Sequence, residues 1–97
     1  MAIPFASDDI AVSHNGPERR FETLVEGQFA VCEYELQGER VIFTHTFVPS
    51  QLRGRGVARK LVEVALQWAQ ANGKRVVPAC SYVAAFIERR PEFKVLI

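Results

Sequence analysis

The sequence predicts an α+β fold in which antiparallel hairpins lead into one parallel β-α-β crossover and a C-terminal helix. The chain has 97 residues, the length of one small domain, so residues 1–97 are expected to fold as a single unit. Hydrophobic residues alternate along the first half and recur at helical spacing after Pro49. With 48% hydrophobic and 24% charged residues, the composition excludes a disordered chain.

Four strands are predicted before Pro49, because alternating or β-branched segments are separated by turn residues there. These segments are Ile10–Val12, Phe21–Val25, Gln28–Leu36 and Arg40–Val48. The turns between them contain Asn15-Gly16-Pro17, Glu26-Gly27 and Gln37-Gly38-Glu39. One face of the third strand carries Ala30, Cys32, Tyr34 and Leu36. The fourth strand is hydrophobic or β-branched on both faces, which is typical of a central strand.

The hydrophobic period becomes helical after Pro49. A first helix is predicted from Val57 to the Asn72-Gly73 stop signal. Its apolar stripe consists of Val57, Leu61, Val64, Ala65 and Trp68. A short strand follows at Arg75–Val77, and a second helix is predicted over Ser81–Arg90, because Pro91 disfavours helix at the residue before it. The strand–helix–strand unit predicts a right-handed crossover between two parallel strands.

The sequence favours a cytoplasmic protein without metal. No apolar run approaches the roughly 18–20 residues that a membrane span needs. The first five residues contain no basic region of the kind that opens a secretory signal. The two cysteines, Cys32 and Cys80, match no zinc-ligand spacing, and free thiols in a reducing compartment are the simplest interpretation.

The charges are distributed unevenly along the chain. Residues 1–48 contain three arginines and eight acidic residues, whereas residues 49–97 contain nine lysines and arginines and three glutamates. Such asymmetry can reflect binding partners, or it can be an ordinary solvated surface.

The segment that joins the fourth strand to the first helix has the features of a phosphate-binding loop. Gly54 and Gly56 allow a tight turn and the close approach of a ligand. No usual capping residue stands immediately before Val57, so the first N–H groups of the helix lack an obvious acceptor. Four cations crowd this helix end: Arg53, Arg55, Arg59 and Lys60. Positive side chains interact unfavourably with the positive end of the helix dipole, and a bound anion would make the interaction favourable. The alternative is a glycine cap with solvated arginines.

Two common phosphate motifs do not fit this loop. A Walker loop needs Lys-Ser or Lys-Thr where Val57-Ala58 stands. A dinucleotide fingerprint needs Gly or Ala at Arg59 and an acid near Lys74. The spacing Gln51-x-x-Gly54-x-Gly56 after a strand instead resembles the pyrophosphate loop of the GNAT acetyltransferase superfamily, which binds acetyl-coenzyme A.

Further segments narrow this resemblance to a compact, single-domain GNAT-like N-acetyltransferase subfamily of about a hundred residues. They are His45-Thr46-x-Val48-Pro49, Arg53–Ala58, Cys80-Ser81-Tyr82 and Arg89–Phe93, and the resemblance covers about residues 8–95. It implies a GNAT-like mixed sheet with acetyl-coenzyme A between the splayed parallel strands. The implied cofactor-binding residues are Val48, Gln51, Arg53, Gly54, Arg55, Gly56, Val57, Ala58 and Arg59. The sequence departs from the subfamily at Phe47, where an acid is common.

Three residues are candidates for catalysis. Cys80 is expected at the start of the last helix, where the helix N-terminus lowers a thiol pKa, and the resemblance puts it near the thioester. His45 is expected beside the cleft and could take a proton from an amine. Tyr82 could protonate the departing thiolate. The alternatives are an inert buried thiol, a core histidine and a packing tyrosine. Cys32 and Trp68 are interpreted as core residues, and His14 has no evident partner.

The sequence therefore favours an N-acetyltransferase that transfers the acetyl group of acetyl-coenzyme A to an amine, such as a lysine or a polyamine. The acidic first half would suit a cationic acceptor. The alternative is an acyl-coenzyme A-binding module with little catalysis, which the missing acid at position 47 favours. A nucleic-acid binder is disfavoured, because no base-stacking aromatic residues lie among the arginines. The sequence does not indicate an oligomeric state.

Overall fold

The computed structural model describes residues 10–97. One five-stranded sheet has the strand order β1-β2-β3-β4-β5. Its strands are β1 (Ser13–Asn15), β2 (Arg20–Val25), β3 (Gln28–Gln37), β4 (Arg40–Phe47) and β5 (Arg75–Pro78). Helix α1 spans Val57–Ala71 between β4 and β5, and helix α2 spans Ser81–Arg89. Strands β1 to β4 pair antiparallel, whereas β4 and β5 pair parallel, which confirms the predicted fold class.

Most predicted elements end within one residue of the observed bounds, but three features differ. The first strand is Ser13–Asn15 rather than Ile10–Val12. Its pairing with β2 begins at Ser13, which lies opposite Glu22. Ile10 lies before the strand and is buried in the core. Two 3-10 helices, Ser50–Leu52 and Pro91–Leu96, were not predicted.

The core lies on one face of the sheet, under both helices. Its buried residues from the strands and the helices form a single cluster. Strand β4 lies between β3 and β5, so the prediction of a central strand is confirmed. Its two faces are buried unequally, however: Val41 and Phe43 are fully buried, whereas Phe47 on the other face is 46% exposed. Leu36 is also exposed, near the end of β3, although Ala30, Cys32 and Tyr34 are buried as predicted.

The apolar stripe of α1, which packs against the core, is broader than predicted. Val57, Leu61 and Ala65 are buried as expected, and Val64 and Trp68 are partly buried against the core. The structure adds three buried residues that the pattern missed, namely Val62, Leu66 and Ala69.

His14 has a partner that the sequence did not reveal. Its Nε2 lies 2.6 Å from the hydroxyl of Tyr34, and its ring stacks on Phe21 at 4.3 Å between centroids. Trp68 closes this cluster at 4.8 Å from the His14 ring. Burial lowers the pKa of His14. The cluster ties the short edge strand β1 to the core.

Strand β4 contains a β-bulge at Thr44. Glu33 pairs with His45 and the next residue, Tyr34, pairs with Phe43, so Thr44 is an extra residue on β4. An extra residue bends a strand and changes which side chains face the core. As a result Thr46 lies opposite the buried Cys32, and His45 lies opposite Glu33 on the outer face.

The parallel pair separates at the same place. The register of β4 with β5 ends at Phe43 opposite Pro78, whereas β4 continues to Phe47. Beyond this point the Cys80 N–H donates a 2.8 Å hydrogen bond to the Phe43 carbonyl. The cleft therefore opens between the carboxyl ends of these two strands.

Candidate active site

A cavity of about 550 Å³ lies at the end of β4, against the first turn of α1. Its wall includes eight of the residues that the sequence analysis singled out: Val48, Arg53, Gly54, Gly56, Val57, Ala58, Arg59 and Tyr82. Three further wall residues were not among the predicted cofactor-binding or catalytic residues: Thr46, Phe47 and Leu52. Of the other candidates, Gln51, Arg55, His45 and Cys80 lie outside this wall.

The glycine loop shapes the end of α1 that faces the cavity. Gly54 and Gly56 have φ angles of 81° and 78°, in the left-handed region that favours glycine. Gly56 is the N-cap of α1, and among residues 10–97 no side chain caps this end. The first turn also contains no acidic residue. Its N–H groups and the helix dipole therefore favour an anion in the cavity.

The four predicted cations occupy different places around the loop. Arg53 and Arg59 line the cavity, and Arg53 Nε donates a 3.1 Å hydrogen bond to the carbonyl of Val48. Arg55 instead forms an ion pair with Glu26, in the turn between β2 and β3. Lys60 lies 3.8 Å from Glu63. Arg55 and Lys60 therefore have carboxylate partners on the protein itself.

Cys80 is the N-cap of α2 and lies directly behind the cavity wall. Its thiol is 9% exposed, and its Sγ lies 3.4 Å from Thr46 Oγ1. Burial alone would raise the pKa of Cys80, but hydrogen bonds from Thr46 and from the N–H groups of Val83 and Tyr82 outweigh it. The N–H groups of Val83 and Tyr82 point toward the sulfur without forming a side-chain cap of α2, but their positive ends still favour the thiolate. The net effect is a lowered pKa, as expected for a thiol at a helix N-terminus.

Cys32 differs sharply from Cys80. It is fully buried on β3, and burial raises its pKa to about 12, so it stays a thiol at neutral pH. Thr46 Oγ1 lies 3.8 Å from its sulfur. Both cysteines are free.

His45 lies on the outer face of the sheet because of the bulge. Its exposed ring stacks on Phe47 with 6.5 Å between centroids, and Phe47 lines the cavity. The structure thus puts the imidazole one side chain away from the cavity wall. The sequence did not reveal the face on which His45 lies, since Thr44, His45 and Thr46 give no hydrophobic signal for a bulge.

Tyr82 stands where two cavities meet. Its side chain is 40% exposed and lines the first cavity. Burial raises the pKa of its phenol, against the opposing influence of Arg59 and Arg89. The hydroxyl therefore stays protonated at neutral pH and can act as a donor. A second cavity of about 290 Å³ shares Arg59 and Tyr82 and extends along α2 to Arg89.

Within residues 10–97, no group of three or more histidine, cysteine or acidic side chains could hold a metal ion. No helix of this part is both long and apolar enough to cross a membrane.

The fold and the loop define a known class of proteins. The model of the GCN5-related N-acetyl-transferase family matches residues 20–96. The chain therefore belongs to the GCN5-related N-acetyltransferase family, and residues 20–96 are a domain of this enzyme type.

Vertebrate proteins named NATD1 are similar along most of their length. The Bos taurus protein is 34% identical over 85 residues, which cover 84% of this chain and 75% of that protein. The Homo sapiens protein is 32% identical with the same coverage. The Xenopus tropicalis protein is 30% identical, with 88% of this chain and 81% of that protein covered.

A solved structure shows the same fold. The NMR solution structure of a GCN5-like protein from Staphylococcus aureus superposes with a TM-score of 0.71. The superposition covers 89% of this chain and 85% of the Staphylococcus aureus chain, and the two sequences are 20% identical. At this identity the likeness extends to the mixed sheet and its helices, which confirms the predicted GNAT-like architecture.

Proposed function

We propose that this protein binds acetyl-coenzyme A and transfers its acetyl group to a primary amine. One observation carries the proposal: the cavity joins an uncapped helix N-terminus and a glycine loop to the opening between two parallel strands. A coenzyme A ligand needs both features, since it combines a pyrophosphate with a long, uncharged pantetheine arm. Membership of the GCN5-related family supports the same ligand.

The pyrophosphate is assigned to the backbone from Arg53 to Ala58. Gly54 presents open space, because a Cβ built there would meet no atom of the described chain within 4 Å. The backbone N–H groups of the first turn supply hydrogen bonds that need no side chain. Arg53 and Arg59 add positive charge at the wall, while Gln51 and Arg55 act from outside it.

The adenosine end is assigned to the second cavity. This cavity begins at Arg59, which also lines the first, so one ligand can extend from one into the other. Arg90 is held by Glu63 and Glu92, through ion pairs of 3.0 Å and 2.7 Å. Arg89 is exposed on the rim of the cavity. A phosphate group on the ribose would form an ion pair with Arg89 there.

The catalytic assignments follow from what each side chain reaches. Acetyl-coenzyme A, when bound, supplies the acetyl group as an activated thioester. The protonated Tyr82 hydroxyl lines the cavity and can give a proton to the departing thiolate. Cys80 lies behind Thr46, near the proposed thioester end. His45 can receive a proton only from an acceptor that approaches over Phe47, on the outer face; otherwise water serves this role.

A cationic amine is the proposed acceptor. Glu33 lies opposite His45 on the outer face of β3, beside the strand end that carries Phe47. A carboxylate there would attract the amine of a lysine or a polyamine to the outer face of the sheet, next to Phe47 in the cavity wall. We also propose a cytoplasmic location, where a reducing environment keeps Cys80 as a free thiol.

An acyl-coenzyme A-binding module is the second candidate. The observation that favours it is Phe47, an apolar side chain in the cavity wall at the position where the subfamily commonly has an acid. Without that acid, the wall offers one base fewer for the acceptor amine.

Calorimetry and a turnover assay together test the proposal. Titration with acetyl-coenzyme A is expected to show one site, and a panel of lysine peptides and polyamines is expected to release coenzyme A. Binding without release for any amine would establish the binding module instead. The absence of binding would refute both candidates.

A further inference from the structure

Three side chains that meet behind the cavity are not explained by cofactor binding alone. Thr46 Oγ1 lies 3.4 Å from Cys80 Sγ and 3.8 Å from Cys32 Sγ. The bulge at Thr44 is what aims this hydroxyl inward, opposite Cys32. A hydroxyl has one hydrogen to donate and can accept through its lone pairs, so it cannot donate to both sulfurs at once.

We propose that Thr46 is the positioning residue of Cys80 and that Cys32 is the alternative acceptor of its hydroxyl. While Cys80 is a thiol, the Thr46 hydroxyl donates to the Cys32 sulfur and the Cys80 thiol donates to Thr46 Oγ1; when Cys80 ionises, the Thr46 hydroxyl turns and donates to the Cys80 thiolate instead. The inference rests on the proposed function, in which Cys80 lies at the thioester end. Thr46 and Cys32 act through Cys80, and neither is itself a catalytic residue.

The choice between the two acceptors follows from the state of each sulfur. Cys32 is fully buried and far from ionising, so at neutral pH it is a neutral and therefore weak acceptor. Cys80 is the sulfur at a helix N-terminus, where negative charge is favoured. A hydrogen bond to a charged acceptor is stronger than one to a neutral acceptor, so the single Thr46 hydrogen moves to Cys80 once that thiol has ionised.

Packing alone does not account for this arrangement. Thr46 forms part of the cavity wall, and Cys80 lies behind it, so the hydroxyl is the polar link between the cavity and the thiol. A valine would fill the same volume without a hydroxyl that has to be satisfied. The groups that face Cys80 are the Thr46 hydroxyl and the N–H groups of Thr46, Tyr82 and Val83, and Cys32 lies on the other side of the same hydroxyl.

Titration of the Cys80 thiolate tests the proposal without any acetyl-coenzyme A. Thiolate absorbance in the ultraviolet is followed against pH in the full chain, with the matching Cys80→Ala variant subtracted each time. In Thr46→Val the midpoint is expected to rise by about one pH unit, the equivalent of one lost hydrogen bond to a charged group. Thr46→Ser keeps the hydroxyl and is expected to restore most of the shift.

Thr23→Val is the matched control. Thr23 is another threonine of the sheet with its side chain on the core face, but it is buried and its hydroxyl donates to the Ala11 carbonyl, away from both thiols. Its loss is expected to leave the Cys80 midpoint unchanged. Circular dichroism would establish that each variant is folded, and Thr46→Ser keeps the test valid if the valine variant is not.

Cys32→Ala tests the role of the competing acceptor. Without the Cys32 sulfur the Thr46 hydroxyl is available to Cys80 alone, and we expect roughly two- to threefold more Cys80 thiolate at neutral pH, an effect smaller than that of Thr46→Val and opposite in sign. An unchanged midpoint in Thr46→Val would overturn the proposal. An unchanged midpoint in Cys32→Ala alone would remove Cys32 from it. Either result leaves acetyl-coenzyme A binding as a separate question, so the proposed function is judged on its own experiment.

Discussion

The glycine loop makes a prediction with an internal control. Gly54 and Gly73 both have left-handed φ angles, 81° and 64°, and at both positions a Cβ would meet no described atom within 4 Å. Alanine at either site therefore brings backbone strain but no clash within the protein. Only Gly54 lines the cavity, whereas Gly73 follows the far end of α1.

The cost in stability should be similar for the two variants. The left-handed region costs an L-residue about 1–2 kcal/mol, and the lower entropy of the unfolded chain returns roughly 0.4–1 kcal/mol. A net loss of about 1 kcal/mol lowers the melting temperature of a domain of this size by roughly 4–8 °C. Both proteins should remain folded at room temperature.

The cost in affinity should differ. A methyl group at position 54 occupies space at the wall where the pyrophosphate is assigned, and it would displace one hydrogen bond to a charged group. Such a bond contributes about 1.5–3 kcal/mol, which corresponds to roughly 10- to 100-fold in the dissociation constant. We expect Gly54→Ala to weaken acetyl-coenzyme A binding by this factor and Gly73→Ala to leave it unchanged.

Calorimetric titration of both variants at the same temperature, with thermal melts beside it, measures both quantities. Equal affinity in folded Gly54→Ala would refute the placement of the pyrophosphate on this loop. An equal loss of affinity in both variants would show that binding follows global stability and not a contact at Gly54.

Four further predictions concern other parts of the molecule. Tyr82→Phe is expected to lower kcat for acetyl transfer about 10²-fold or more with little change in KM, because general-acid assistance is lost while the ring remains; a raised KM with an unchanged kcat would indicate a binding role instead. Arg89→Gln should weaken binding of coenzyme A severalfold but not that of its 3′-dephospho form; equal weakening of both would move the ribose phosphate elsewhere. Since burial lowers the pKa of His14, the unfolded chain binds more protons below the ordinary histidine value of about 6.5. The free energy of unfolding should therefore fall as the pH drops through this range, and His14→Phe should flatten that slope in denaturant titrations. Deletion of Thr44 should give a folded protein with a regular ladder, because Thr46 keeps its inward face, but with weaker acetyl-coenzyme A binding as β4 loses its bend; unchanged affinity would separate the bulge from the site.

The parts of the fold that were predicted correctly are those with strong local signals. Gly54 and Gly56 mark the loop by their spacing, and both adopt the left-handed conformation that glycine tolerates. The stop at Asn72-Gly73 and the break at Pro91 set the helix ends to within a residue or two. These signals depend on the backbone of single residues, so they do not require knowledge of the rest of the structure.

The parts that were missed depend on pairing between distant strands. His14 finds Tyr34 only because β1 lies beside β2 and β2 beside β3. Arg55 meets Glu26 only because the turn between β2 and β3 reaches the loop. No spacing in the sequence encodes either contact, and the cluster of cations was therefore interpreted without its carboxylate partners.

The bulge at Thr44 explains why the candidate site differs from its prediction. Alternation along β4 from the buried Phe43 would turn His45 inward and Thr46 outward, and one extra residue reverses this. The same residue lies where β4 and β5 stop pairing, so the bend, the opening between the strands and the inward hydroxyl occur together. Without the bulge, the thiol at the N-terminus of α2 would face the imidazole of His45. Instead it faces the Thr46 hydroxyl, an uncharged group that can donate a hydrogen bond to the sulfur.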